Sequence, residues 1–180
     1  MAYERRRTHD RNRTSIVTSP GLSGGTMTAP WELDQLISRW WFAYDQGLFD
    51  ELSLLVTEDV HFTVRTDTGK TDFEAFVTAD VHGKVDVMHW QTEHRLDSPS
   101  PLRHNGTNVH LAGTRGEDAL FQSYIYVTQI VEGKVSNLST GIVTGSVRSE
   151  ASNLKISSLH VVLDTEPSRN LRDILAADLT

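Results

Sequence analysis

Leu33, Leu36, Ile37, Trp40, Trp41 and Tyr44 recur at i, i+3 and i+4 spacing, which predicts a helix with one apolar face. Pro30 suits its first position, and Gly47 suits the left-handed position that ends it. Phe49, Leu52, Leu55 and Val56 share a face of a second, shorter helix that stops near residues 57–59. Residues 60–65 alternate between apolar and polar, predicting a strand with a turn after it at Asp67-Thr68-Gly69. Thr71, with Glu74 three residues on, forms a capping box for a third helix that runs to about Val81 and is broken by Gly83. Residues 88–103 carry no clear period, and Ser98-Pro99-Ser100-Pro101 within them is not regular structure. The pattern then turns to period two. Strands are expected at 107–114, 119–131, 138–148 and 154–163, with a turn at 115–118, a hairpin at Glu132-Gly133-Lys134 and a short helix over 168–179. Helices first and an antiparallel meander afterwards give an α+β fold. A strongly curved antiparallel or mixed sheet wrapped around the first helix would make a cone with a pocket for a small ligand.

Composition narrows the chemistry. With 180 residues, 38% of them apolar, the chain can bury one domain's core, and the absence of cysteine excludes disulfides, thiolate metal sites and cysteine nucleophiles. No apolar run reaches membrane-spanning length, and no apolar segment follows the charged first residues, so a cytoplasmic protein is expected. Residues 1–26 carry a net charge of +3 and the remainder −10, which argues against nucleic-acid binding by the body of the chain. The expected organisation is a disordered Arg-rich leader over 1–28, a domain over 29–166 and a C-terminal helix or tail over 167–180. Two further readings of the leader stay open: Met27 as the true start, or an arginine tail that touches phosphate or transits a membrane.

The candidate chemistry centres on Asp45. A carboxylate in the last turn of a core-packed helix is costly without a partner, and the helix dipole disfavours it there. A histidine is a fitting partner, because Asp can hold one imidazole tautomer and leave the other nitrogen free for proton transfer. His104 is the leading candidate, with His89 and His94 as rivals. The plainer reading makes Asp45 a cap on a nearby backbone N–H, His104 a structural histidine and Tyr44 a core aromatic. His110 lies six residues beyond His104, nominally on the same strand face, and with Asn108 is a pocket candidate. Trp40, Trp41 and Trp90 are packing residues or pocket walls, and Asn137, Ser139 and Thr140 are pocket donors or ladder residues. The histidine spacings match no zinc signature and no glycine-rich phosphate loop is present, so neither metal nor cofactor is expected.

The run Tyr44-Asp45-x-x-x-Phe49-Asp50-x-Leu52, with the order of elements, resembles the NTF2-like superfamily over about residues 30–165. Within it the chain is most similar to the SnoaL-like group that includes scytalone dehydratase, bile-acid dehydratase and the lindane dehydrochlorinase. The resemblance puts that group's aspartate on Asp45 and the tyrosine of scytalone dehydratase on Tyr44. Its catalytic histidine, in a His-x-Gly-Thr context, falls on His104 of His104-Asn105-Gly106-Thr107. Two departures stand out. The arginine of the dehydrochlorinase would fall near Leu159, and the second histidine of scytalone dehydratase has no counterpart in residues 124–129.

The resemblance implies a cofactor-independent lyase or isomerase, of dehydratase or polyketide-cyclase type, acting on a hydrophobic oxygenated small molecule. His104 would abstract a proton, Asp45 would fix its tautomer, and Tyr44 would donate to the developing enolate. It also implies a homo-oligomer, trimer favoured over dimer. Two other functions fit the same fold: a non-catalytic ligand-binding or assembly domain, and a structural protein like the β-subunit of ring-hydroxylating dioxygenases.

Overall fold

The computed structural model describes residues 28–177. The expected leader, save Thr28, and the alternative start at Met27 lie outside the described residues. Helix α1 (Pro30–Gln46) buries the predicted apolar stripe together with Ala43 and Asp45. Gly47 ends it at φ 68°, where its N–H bonds the Tyr44 carbonyl and the next N–H, of Leu48, bonds that of Ala43.

Three departures from the sequence pattern shape the site. Helix α2 (Phe49–Leu54) stops earlier than its apolar face suggests, because Val56 opens strand β1 (Val56–Thr66) and pairs with Ile156. The third helix is only one turn, α3 (Glu74–Val77), and residues expected to extend it form strand β2 (Ala79–His82). Edge pairing of β2 with β1 competes with helix propagation and wins. The expected capping box is not formed: Phe73 is the N-cap, and the Glu74 carboxylate instead accepts from the hydroxyls of Thr71 (3.0 Å), Thr66 (2.5 Å) and Thr78 (2.9 Å), clamping the short helix onto the end of β1. The segment without a period is helix α4 (Lys84–Asp97), which Gly83 opens rather than terminates. Its inward stripe is Val87, Gln91 and Arg95, two of them polar, so no apolar period could reveal it.

Strands β3 (Leu102–Arg115), β4 (Asp118–Val131), β5 (Lys134–Glu150) and β6 (Asn153–Leu163) form the expected meander, and β3 begins five residues earlier than its pattern suggested. Helix α5 (Leu171–Ala177) follows. The sheet order is β2-β1-β6-β5-β4-β3, antiparallel except for β1 with β6, and the sheet does not close. The result is an α+β cone of NTF2-like form with α1 against its concave face, as the resemblance implied. Among the described residues, no helix is long and apolar enough to cross a membrane.

Glycines permit the curvature. Gly145 sits on the buried face of β5, opposite Leu159, so tightly that a Cβ there would stand 2.3 Å from the Ser158 carbonyl oxygen and 2.7 Å from the Phe121 ring. Gly141 approaches the Val162 carbonyl equally closely. Side chains at these points would force the strands apart and flatten the cone. Gly145→Ala should therefore destabilise the fold by about 1–3 kcal/mol, the usual cost of overpacking. In thermal melts followed by circular dichroism this is a Tm lower by several degrees, and an unchanged Tm would show that the close approach is not a constraint.

Candidate active site

The last turn of α1 and the first residues of β3 meet at the floor of the cone. Asp45 accepts two hydrogen bonds from one residue: the His104 ring Nδ1–H reaches Oδ1 at 2.6 Å, and the His104 backbone N–H reaches Oδ2 at 2.8 Å. Their side chains are only 5% and 13% exposed. An acceptor-only carboxylate fixes the proton of the neutral ring on Nδ1, leaving the lone pair of Nε2 free. Trp41 stacks on the ring, with centroids 5.1 Å apart and planes at 10°, and Tyr44 meets it edge-on at the same distance. Gly106 makes room for this stack, since a Cβ there would lie 3.0 Å from Trp41.

Arg95, from α4, answers the electrostatic objection to a carboxylate at a helix C-terminus. Its buried guanidinium donates twice to the Asp45 backbone carbonyl, at 2.9 and 3.2 Å, and also to the Pro99 carbonyl. It thereby caps α1 with positive charge and pins the loop between α4 and β3.

A second histidine stands in the opposite state. The Tyr44 hydroxyl lies 2.6 Å from His94 Nδ1. Burial raises the Tyr44 pKa, so the phenol keeps its proton. Burial and then the neighbouring His104 push the His94 pKa down to about 4, so its ring is neutral near pH 7. Tyr44 therefore donates to Nδ1, and the His94 proton must sit on Nε2. Trp90 and Phe76 pack against the ring, each with its centroid 4.5 Å away.

These groups border a cavity of about 120 Å³ between α1, α3, α4 and the concave sheet face. Its walls are mainly apolar, with Phe62, Ile125 and Val161 among them. Three buried donors on lining residues lack a partner: His94 Nε2, Gln91 Nε2 and Trp41 Nε1. Leaving a buried donor unpaired costs about 1–3 kcal/mol, so an occupant with oxygen acceptors is favoured.

The remaining candidates divide cleanly. Tyr44, Trp41, Trp90, His94 and Ser139 line the cavity, whereas Trp40 is a fully buried core residue away from it. His89 is exposed on the outer side of α4 and does not compete with His104 for Asp45. His110 and Asn108 are also exposed, because the β3–β4 register shifts between Thr107 and His110, where Asn108 has φ 56°. That bulge cancels the even spacing which placed His110 on the face of His104. Thr140 bonds Asp164, and neither it nor Asn137 borders the cavity. Leu159 is buried core, so no cation stands at that point. Sequence reasoning missed Arg95 and Gln91, whose helix carried no readable period, and Phe76, which belongs to the shortened α3.

A SnoaL-like domain model matches residues 26–160. No curated protein matches the chain. Among solved structures, an NTF2-like protein with a cystatin-like fold from Novosphingobium aromaticivorans is similar at TM-score 0.61 and 19% identity, over 81% of this chain and 87% of that one. ActVI-ORFA from Streptomyces coelicolor is similar at TM-score 0.60 and 15% identity, over 74% and 95%. The β subunit of the benzoate 1,2-dioxygenase of Burkholderia mallei is similar at TM-score 0.58 and 16% identity, over 77% and 93%. At these identities the likeness is one of fold.

The depressed His94 pKa makes a stability prediction. Between about 4 and the ordinary value of 6.5, the folded protein binds fewer protons at His94 than the unfolded chain does. Stability from this group is therefore complete above pH 6.5 and is lost as the pH falls toward 4. Asn in place of His94 keeps an acceptor for Tyr44 but cannot titrate. Thermal melts across this range should show a shallower acid decline for His94→Asn than for the native chain, and parallel declines would refute the assignment.

Proposed function

The chain belongs to the SnoaL-like domain family, and on that premise we propose that it is a cofactor-independent lyase or isomerase acting on a compact, oxygenated hydrophobic molecule. The observation that carries this reading is the Asp45–His104 pair, an oriented base at the floor of an apolar cavity. His104 Nε2 would take a proton from the carbon beside a substrate carbonyl, and the electron pair would move onto the carbonyl oxygen. Asp45 would stabilise the imidazolium so formed. The neutral His94 Nε2–H would donate to the enolate oxygen. Tyr44, expected from sequence to bind substrate directly, has its proton committed to His94 and acts as a positioning residue.

The two outcomes differ only in where the proton returns. In a dehydration the enolate expels a β-hydroxyl, which leaves as water with the proton from His104. In an isomerisation His104 returns the proton to another carbon. Both balance without an oxidant or reductant. The cavity is close in size to one that admits a benzene ring (~150 Å³), which favours single-ring substrates or one ring of a larger molecule.

Self-association belongs to the same proposal, with a trimer favoured over a dimer. Tyr124 and its cross-strand partner Ile142 stand exposed on the outer face of the sheet, with Tyr126 nearby, and a second copy would cover them. Light scattering at micromolar concentration should give a mass above that of one chain; a monomer would contradict this.

The chemistry can be read by ¹H NMR as hydrogen–deuterium exchange beside the carbonyl in a panel of single-ring β-hydroxy ketones in D₂O. The native chain should accelerate exchange in at least one member. Asp45→Asn and His104→Ala should each slow it by roughly two to four orders of magnitude, and the double variant should be little worse than either. His94→Phe should cost about two to three orders, as loss of one oxyanion donor does. Acceleration that persists in His104→Ala would overturn the mechanism, and no acceleration across the panel would favour a binding or assembly role.

A further inference from the structure

We propose that His61, Asp80 and His82 form a binding site for a divalent transition metal such as Zn²⁺, on the outer face of the sheet. Asp80 Oδ1 lies 2.8 Å from His61 Nε2 and 3.4 Å from His82 Nε2, and the three donor atoms all fall within 4.8 Å of one another. Zn–N and Zn–O bonds of about 2.0–2.2 Å place tetrahedral ligands roughly 3.4 Å apart, close to the donor spacing here, and binding would turn the two rings out of their parallel stack so that both Nε2 lone pairs meet the ion. Two imidazoles with one carboxylate suit zinc and its late first-row neighbours better than calcium or magnesium.

The arrangement rests on the sheet ladder. His61 stands directly opposite His82 in the antiparallel β1–β2 pair, and Thr63 opposite Asp80. Asp80 and His82 are two residues apart and so project from the same face of β2. The His61 and His82 rings stack with centroids 3.8 Å apart and planes at 12°, which brings both Nε2 atoms to one carboxylate oxygen. His160 of β6, held through Nδ1 by the Thr63 hydroxyl at 2.9 Å, packs edge-on against His61 and buttresses it.

The site is separate from the cavity. His61 alternates along β1 with Phe62 and Val64, which line the cavity on the other face. A metal here would tie the edge strand β2 to β1. Because β2 follows α3, it would also steady the cavity wall that carries Phe76. Histidine spacing could not reveal the site, since its ligands come from two strands and meet only through their pairing.

The test titrates the full chain, freed of metal by a chelator, with Zn²⁺ in a calorimeter and follows Tm. One Zn²⁺ should bind per chain with micromolar or tighter affinity, and a hundredfold excess over Kd should raise Tm by roughly 5–10 °C. His82→Ala and Asp80→Asn, both at exposed positions, should each weaken binding at least tenfold and abolish the Tm rise, with circular dichroism unchanged. His110→Ala, an exposed histidine elsewhere, should bind as the native chain does. No saturable binding, binding weaker than micromolar, or binding unaltered by His82→Ala would overturn the proposal, and the cluster would then be a set of hydrogen bonds only.

Discussion

The fork of hydrogen bonds from His104 to the Asp45 carboxylate is the constraint around which the floor of the cone is organised. One bond fixes the backbone at the start of β3 and the other fixes the ring, so strand and imidazole are registered to α1 by the same group. Elements distant in sequence must converge to keep that carboxylate satisfied. Arg95 brings α4 to the helix end, Gly47 turns the chain out of α1 at the next turn, and Gly106 clears space for Trp41 over the ring. Without the two His104 donors the buried carboxylate would be strongly destabilising.

Beside it, two imidazoles meet opposite hydrogen-bond partners at the same ring nitrogen. Nδ1 of His104 faces the acceptor Asp45, and Nδ1 of His94 faces the donor Tyr44. Histidine alone among the side chains can serve in both states near neutral pH, and burial of His94 keeps it from acquiring the second proton that would spoil the contrast.

Elements with a single strong period are legible in the sequence: α1, and the meander with its hairpin turn, in which Glu132 and Gly133 take positive φ. The Asp45–His104 contact is legible because a carboxylate at a helix end needs a partner, and the family resemblance points to the histidine of His104-Asn105-Gly106-Thr107. Other features are not. Val87, Gln91 and Arg95 make a buried stripe that is mostly polar, so α4 looked like irregular chain and hid both the capping arginine and the setting of His94. Thr71 and Glu74 do not form the expected capping box, because Glu74 instead gathers the hydroxyls of Thr66, Thr71 and Thr78, and edge pairing stops the helix after one turn. Counting by twos from His104 to His110 failed at a bulge, which no alternation predicts.

The opposed tautomers are the centre of the account and can be observed directly. Long-range ¹H–¹⁵N correlation of the histidine side chains at mildly alkaline pH distinguishes protonated from bare ring nitrogens. His104 should be protonated at Nδ1 with a bare Nε2, its Nδ1 proton far downfield in a short bond to Asp45, and His94 protonated at Nε2 with Nδ1 accepting from Tyr44. Finding the two rings in the same tautomer, or finding Nε2 of His104 protonated in the neutral ring, would contradict it.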